Sequence, residues 1–161
     1  MGVYSNSKLK TFEQCKFKYK LRYIDKIIPE IEKSIEAHLG TCVHLALEWL
    51  YSTIQETGNA PELDDVITTY SKAWVKEYSD SIIITKKWMS AADYFNKGIK
   101  YLIDYYESNK PFQDNTIALE KEILVDLSDE HQLRGFIDRL VYDKEKDEYE
   151  IHDYKTSETA P

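Results

Sequence analysis

Apolar and polar side chains alternate through residues 117–127, 133–142 and 149–155, the period of two that predicts strands. A charged turn, Asp143-Lys144-Glu145-Lys146-Asp147, separates the last two and predicts a hairpin. Upstream the spacing changes. Residues 31–56, 61–79 and 90–108 place apolar side chains three and four apart, which predicts helices, with Pro61 and Pro111 as punctuation. The chain thus reads as a mainly helical part, 1–112, followed by a three-stranded part, 113–157. This is an α/β (α+β) arrangement in one domain over 1–161.

The strands carry charge inside apolar runs. Asp138 lies within Leu-Arg-Gly-Phe-Ile-Asp-Arg-Leu-Val-Tyr, and Asp153 and Lys155 lie within Glu-Ile-His-Asp-Tyr-Lys-Thr. Buried carboxylates and a buried lysine are costly unless paired or bound to a metal. Residues two apart on a strand share a face, so Asp153 and Lys155 project together and Asp138 can face them from the neighbouring strand. Two converging carboxylates repel unless a divalent cation lies between them, and hard oxygen ligands favour Mg2+ or Mn2+. A lysine at that point can position a water or stabilise an oxyanion.

Gly135, Asp138 and Arg139, followed by Asp153, Tyr154, Lys155 and Thr156, resemble the PD-(D/E)xK nucleases. The closer likeness is to their RecB-like branch, in which a Gly-x-x-Asp-Arg strand precedes one ending in Asp-Tyr-Lys-Thr. Gly40-Thr-Cys-Val-His44 is similar to the branch's Gly-x-x-x-His helix. Four-residue spacing puts Gly40, His44 and Glu48 on one helical face, where the glycine would let the sheet approach. Taken alone, a core histidine bonded to a backbone carbonyl is the simpler account of His44, and the two strand motifs reverse that order.

The resemblance implies a restriction-endonuclease-like core, the αβββ portion of αβββαβ, under a helical N-terminal cap. It also implies that His44, Asp138, Asp153 and the backbone carbonyl of Tyr154 bind Mg2+ or Mn2+, with Lys155, Asp138 and Asp153 catalytic. Glu120 occupies the place of a glutamate on the family's first strand. Glu122 shares its face, and a solvated acidic edge explains both about as well. The family's Asp-x-Lys strand is followed by a helix bearing Gln-x-x-x-Tyr and a last strand, whereas this chain stops at Pro161. The expectation is a C-terminally incomplete domain, impaired in cleavage, whose bare sheet is covered by dimerisation, by domain swapping or by a completing segment.

The opening Ser5-Asn-Ser7, with Cys15 and the aromatics after it, is similar to the family's first helix, with Lys16 where proline is usual. Members with an iron-sulfur cluster use a cysteine there together with three more, and four thiolates are required. Cys15 and Cys42 alone cannot hold a cluster and read as reduced, packed thiols.

The net charge of −8 argues against a DNA partner, but its distribution is uneven. Residues 8–26 set seven basic side chains against Glu13 and Asp25, a balance of +5 that leaves −13 elsewhere. Lys16, Lys18, Lys20 and Arg22, interleaved with Tyr19, could follow a phosphate backbone and stack on bases. A solvated lysine face on an ordinary amphipathic helix is an equal reading. His131 and His152 read as surface residues, His38 receives no role, and Tyr94, Phe95, Tyr101, Tyr105 and Tyr106 read as core and rim. As a cap, the helices would wall a channel for single-stranded DNA.

The sequence has no transmembrane run and no apolar signal segment, and Asn6 breaks the myristoylation pattern, so the expected location is the cytoplasm. The expected activity is a metal-dependent DNA exonuclease of recombination, repair, phage replication or CRISPR adaptation, working on single strands or ends beside a helicase or integrase. A non-catalytic DNA-binding or scaffolding subunit is the competing class.

Overall fold

The computed structural model describes residues 2–29 and 33–156. Strand β1, Gly2–Ser5, leads into α1, Asn6–Gln14, α2, Lys16–Tyr19, and a π-helical turn, Lys20–Ile24. Two-residue strands β2, Lys33–Ser34, and β3, Ile82–Ile83, pair in parallel beside the long helices α3, Ile35–Thr57, and α4, Leu63–Glu77. Helix α5, Ala91–Asn109, then precedes β4, Thr116–Ser128, β5, His131–Asp143, and β6, Glu148–His152.

Capping chemistry sets the helix ends. Ser34 accepts the Ala37 N–H and starts α3, later than the periodicity of 31–56 predicts, while residues 31 and 32 lie outside the described residues. Gly58, at φ 74°, ends α3 in the left-handed conformation that glycine adopts freely. Ser90 and Asp93 form a reciprocal capping box at the start of α5.

The core is helical. Leu39, Val43, Ala46, Leu47 and Leu50 of α3 are buried with Val66, Tyr70 and Trp74 of α4 and Tyr94, Leu102 and Tyr106 of α5. His38 is also fully buried, against the rings of Trp74 and Tyr78 and near the sulfur of Cys42. Cys15 departs from the packed-thiol expectation. It is exposed, and its sulfur caps α2 by accepting the Lys18 N–H, while Cys42 is buried.

The sheet has four strands among the described residues, one more than the alternation predicts. Strand β5 is its axis. Antiparallel β4 runs along one edge, while parallel β1 and antiparallel β6 occupy successive stretches of the other, at residues 131–134 and 139–143 of β5. Four residues are too few for β1 to declare itself by alternation. Helix α3 touches both β4 and β5, which places its motif residues over the sheet. Leu124, Phe136, Tyr149 and Ile151 remain exposed on the strands. Among the described residues no helix is long and apolar enough to cross a membrane.

Candidate active site

His44 comes from α3, Glu120 from β4 and Asp138 from β5, and one ligand atom of each lies within 4.8 Å of the other two. The register sets Leu119 against Arg139 and Lys121 against Ile137, so Glu120 falls opposite Asp138. Beside them is a cleft of about 370 Å³ lined by Gly40, Thr41, His44, Leu45, Glu48 and Glu120. The four-residue face of α3 thus opens on the acidic cluster, as its spacing predicts. What approaches Gly40 is the segment after β6, where a Cβ on Gly40 would stand 3.2 Å from Thr156 Oγ1.

Tyr154 ties the cluster together through its backbone. Its N–H donates to Asp138 Oδ2 at 2.6 Å, and its carbonyl oxygen lies 2.9 Å from His44 Nε2. A carbonyl only accepts, so a proton on Nε2 satisfies this contact. A neutral ring then keeps its lone pair on Nδ1, which lies 3.6 Å from Asp138 Oδ1. A ring nitrogen and a carboxylate oxygen so placed can both serve as ligands to one cation. The carbonyl bond foreseen for a core histidine is thus present on the side chain that the motifs single out.

Glu120 registers the same crowding. Partial burial raises its carboxyl above the usual range, Asp138 and Glu48 raise it further, and His44 opposes them. Its backbone is left-handed at φ 45°, a conformation that costs an ordinary residue on the order of 1–3 kcal/mol. An imidazole nitrogen, two carboxylates and a nearby backbone carbonyl form a donor set that suits a divalent cation.

A family model of the PD-(D/E)XK nuclease superfamily matches residues 3–161. The chain belongs to the PD-(D/E)XK nuclease superfamily. No curated protein and no solved structure gives a significant match. The mixed sheet with its helical cover agrees with the restriction-endonuclease-like architecture of the superfamily.

Two superfamily motif residues stand apart from the cluster. Strand β6 ends at His152, so Asp153 and Lys155 lie beyond the ladder instead of alternating on it. Their side chains are more than half exposed and pair with each other, with Lys155 Nζ at 2.6 and 2.5 Å from the two Asp153 oxygens. Asp153 is not among the residues whose ligand atoms meet within 4.8 Å; its carboxylate is paired with Lys155. Lys155 instead lines a second cleft with Tyr154, Thr156, Tyr101 and Tyr105.

Arg139 was legible only as a motif letter. It is fully buried, donating to Asp114, to Thr116 Oγ1 at 3.2 Å, to Tyr154 Oη at 3.1 Å and to His152 Nδ1 at 3.1 Å. Its guanidinium lies 4.1 Å over the Tyr51 ring. His152 is consequently half-buried and bonded, contrary to a surface role. His131 is exposed, beside Ser128, as its polar turn predicts.

The basic segment is exposed on α1, α2 and the π-helical turn. The Tyr19 ring sits 5.2 Å from Phe12 and 5.1 Å from Tyr23, Lys16 lies over Phe12, and Arg22 lies over Tyr23. Lys20 is paired with Asp25. Because Ser5 registers with Arg134, four residues before Asp138, the segment begins roughly 13 Å along β5 from the cluster.

Proposed function

We propose that this chain is a metal-dependent DNA nuclease of the RecB-like branch, acting as an exonuclease on single strands or ends. The observation that carries this reading is the convergence of His44, Glu120 and Asp138 from three separate elements within 4.8 Å. These side chains, the Tyr154 carbonyl and, once turned inward, Asp153 are the ligands we assign to Mg2+ or Mn2+. A bound ion of that kind supplies a lowered water pKa and neutralises phosphate charge.

The protein groups have separate tasks. Asp138 holds the peptide before Tyr154 through its N–H, and the His44 imidazole holds the peptide after it through the Tyr154 carbonyl. Lys155 and Asp153 are free of the ladder and paired, so side-chain rotations about the held Tyr154 backbone would turn both inward. There the ammonium would hold the attacking water and the developing negative charge. Lys16, Lys18, Lys20, Arg22 and Tyr19 form the track for the strand, with charge for phosphates and rings for bases. We assign the protein to the cytoplasm, with a helicase or recombination complex as its setting.

The self-pairing of Asp153 with Lys155 favours a second reading, a DNA-binding or scaffolding subunit without cleavage. Incubation of end-labelled single-stranded and duplex DNA with Mg2+ or Mn2+ separates the two. Metal-dependent release of nucleotides that Asp138→Asn and Lys155→Ala both abolish supports the nuclease. DNA binding without cleavage under either ion supports the scaffold.

A further inference from the structure

The side chain of Arg139 bonds Asp114, Thr116, His152 and Tyr154, and the backbone of Tyr154 joins two residues of the cluster. A buried guanidinium must have its donors satisfied, and here they spread over four partners in three parts of the chain. Asp114 and Thr116 lie ahead of and at the start of β4, and His152 ends β6. The fourth partner, Tyr154, lies beyond the last strand, where no ladder bond fixes the backbone. Its ring is nevertheless immobilised. The phenol accepts from Arg139 Nε, and the ring packs edge-on against Tyr105 at 5.5 Å and against His44 at 5.7 Å.

We infer that Arg139 is a positioning residue for the metal site, acting through the Tyr154 side chain to set the Tyr154 backbone, its N–H toward Asp138 and its carbonyl toward His44. This rests on the metal-site reading of that cluster. The Tyr154 N–H bonds Asp138 at 2.6 Å and its carbonyl meets His44 at 2.9 Å, so the two peptide groups that flank the Tyr154 Cα must be oriented together. A peptide just past a strand end has several placements available, so something outside the ladder must choose. Arg139 is bonded to the end of β6 through His152 and to the Tyr154 phenol, one anchor on each side of the short span between them. Its stacking on Tyr51 ties both anchors to α3, the helix that carries His44. The guanidinium fork can serve these directions at once, which a lysine ammonium on a flexible stem cannot do with the same geometry.

The test uses the full chain and two readouts, the amide proton of Tyr154 by NMR and the affinity for Mn2+ alone by calorimetry, with thermal melts to confirm folding. In the metal-free protein the charge-assisted bond to Asp138 should shift the Tyr154 amide proton strongly downfield. Tyr154→Phe and Arg139→Lys should each return residue 154 toward the ordinary amide range and weaken Mn2+ binding about ten-fold, the scale on which outer partners of metal ligands act. The double variant should lose no more than Arg139→Lys alone, because both remove one route.

Folded single variants with an unmoved amide and wild-type Mn2+ affinity would overturn the inference, as would additive losses in the double variant. Should Arg139→Lys fail to fold, Tyr154→Phe decides by the same two readouts. If wild-type protein binds no Mn2+, or Asp138→Asn leaves binding unchanged, the metal-site reading fails first and the inference with it. Wild-type binding with unaffected Arg139 and Tyr154 variants overturns the inference alone.

Discussion

Glu120 stands opposite Asp138 on adjacent strands with its backbone in the left-handed region, so strain and like-charge repulsion meet at one position. Proteins retain such strain where function over-determines it. In metal-free protein, Glu120→Gln should raise stability by about 0.5 kcal/mol through loss of the facing charge. Glu120→Gly should add roughly 1 kcal/mol more, because glycine adopts this φ freely. Both should weaken Mn2+ binding. Urea unfolding in the presence of a chelator measures the gains, and a Gly variant no more stable than the Gln variant would show that φ 45° carries no strain.

Two helical glycines should respond in opposite ways to alanine. A Cβ at Gly98 would lie 2.1 Å from Tyr70 Oη and 2.7 Å from Leu39 Cδ1, inside the packed core of α3, α4 and α5. Gly98→Ala should therefore cost about 2–3 kcal/mol through overpacking, lowering the melting temperature by roughly 6 °C or more. At Gly40 the Cβ would meet only the Thr156 hydroxyl at 3.2 Å, which can rotate away. Gly40→Ala should keep or raise stability, by up to about 1 kcal/mol of helix propensity, and leave Mn2+ binding near the wild-type value. Paired melts and titrations check both, and a destabilised Gly40→Ala would place the sheet closer to α3 than Thr156 alone implies.

The proton balance of α3 makes stability depend on pH. Burial holds the His38 imidazole below its ordinary pKa of 6.5, Lys33 adds to this, and the Trp74 backbone and Glu77 oppose it. Below pH 6.5 the unfolded chain therefore binds a proton that the folded chain refuses, so stability is complete above that pH and falls as the pH drops. Further down, Glu36 adds a second loss. The Tyr94 hydroxyl, donating at 2.6 Å, holds its carboxyl below 4.5, so its contribution is present above pH 4.5 and disappears as the pH falls through the lowered folded value. Urea midpoints between pH 8 and 4 should decline first near 6.5 and again below 4.5. His38→Gln should reduce the first decline, to which His152, held low by burial and by Arg139, also contributes, and Tyr94→Phe should reduce the second.

The secondary structure and half of the site were legible because period and motif act locally. Alternation marked β4, β5 and β6, and the helical spacing marked α3, α4 and α5. Gly40, His44, Asp138 and, more weakly, Glu120 were placed by pattern together with resemblance. What escaped has a physical reason in each case. Strand β1 is too short to alternate and depends on distant β5 for its pairing. Nothing in the period of residues 149–155 tells where pairing with β5 stops, yet that stop decides whether Asp153 faces Asp138 or turns to Lys155. Arg139 looks like a polar residue on an apolar strand until its four acceptors, which come from 13 to 25 residues away, are assembled. The left-handed backbone at Glu120 leaves no compositional trace, since the residue there is not glycine.

The exposed basic segment makes a quantitative prediction about salt. If Lys16, Lys18 and Arg22 contact phosphates, reversing all three to glutamate should lower the slope of log affinity against log salt for single-stranded DNA by about 2 units, near 0.7 for each contact. Lys20 is left out because its ion pair with Asp25 must open before it meets a phosphate. Phe12, Tyr19 and Tyr23 pack ring against ring and would stay in place, so base stacking on them should survive the charge reversal as a residual affinity that depends little on salt. The segment joins the rest through β1 and a limited contact of α1 with β5, so the metal cluster should be untouched and Mn2+ affinity unchanged. Anisotropy titrations at several salt concentrations give the slope. An unchanged slope would make the lysines a solvated face and move the DNA track elsewhere, whereas a reduced slope with intact metal binding would separate strand capture from the site of cleavage.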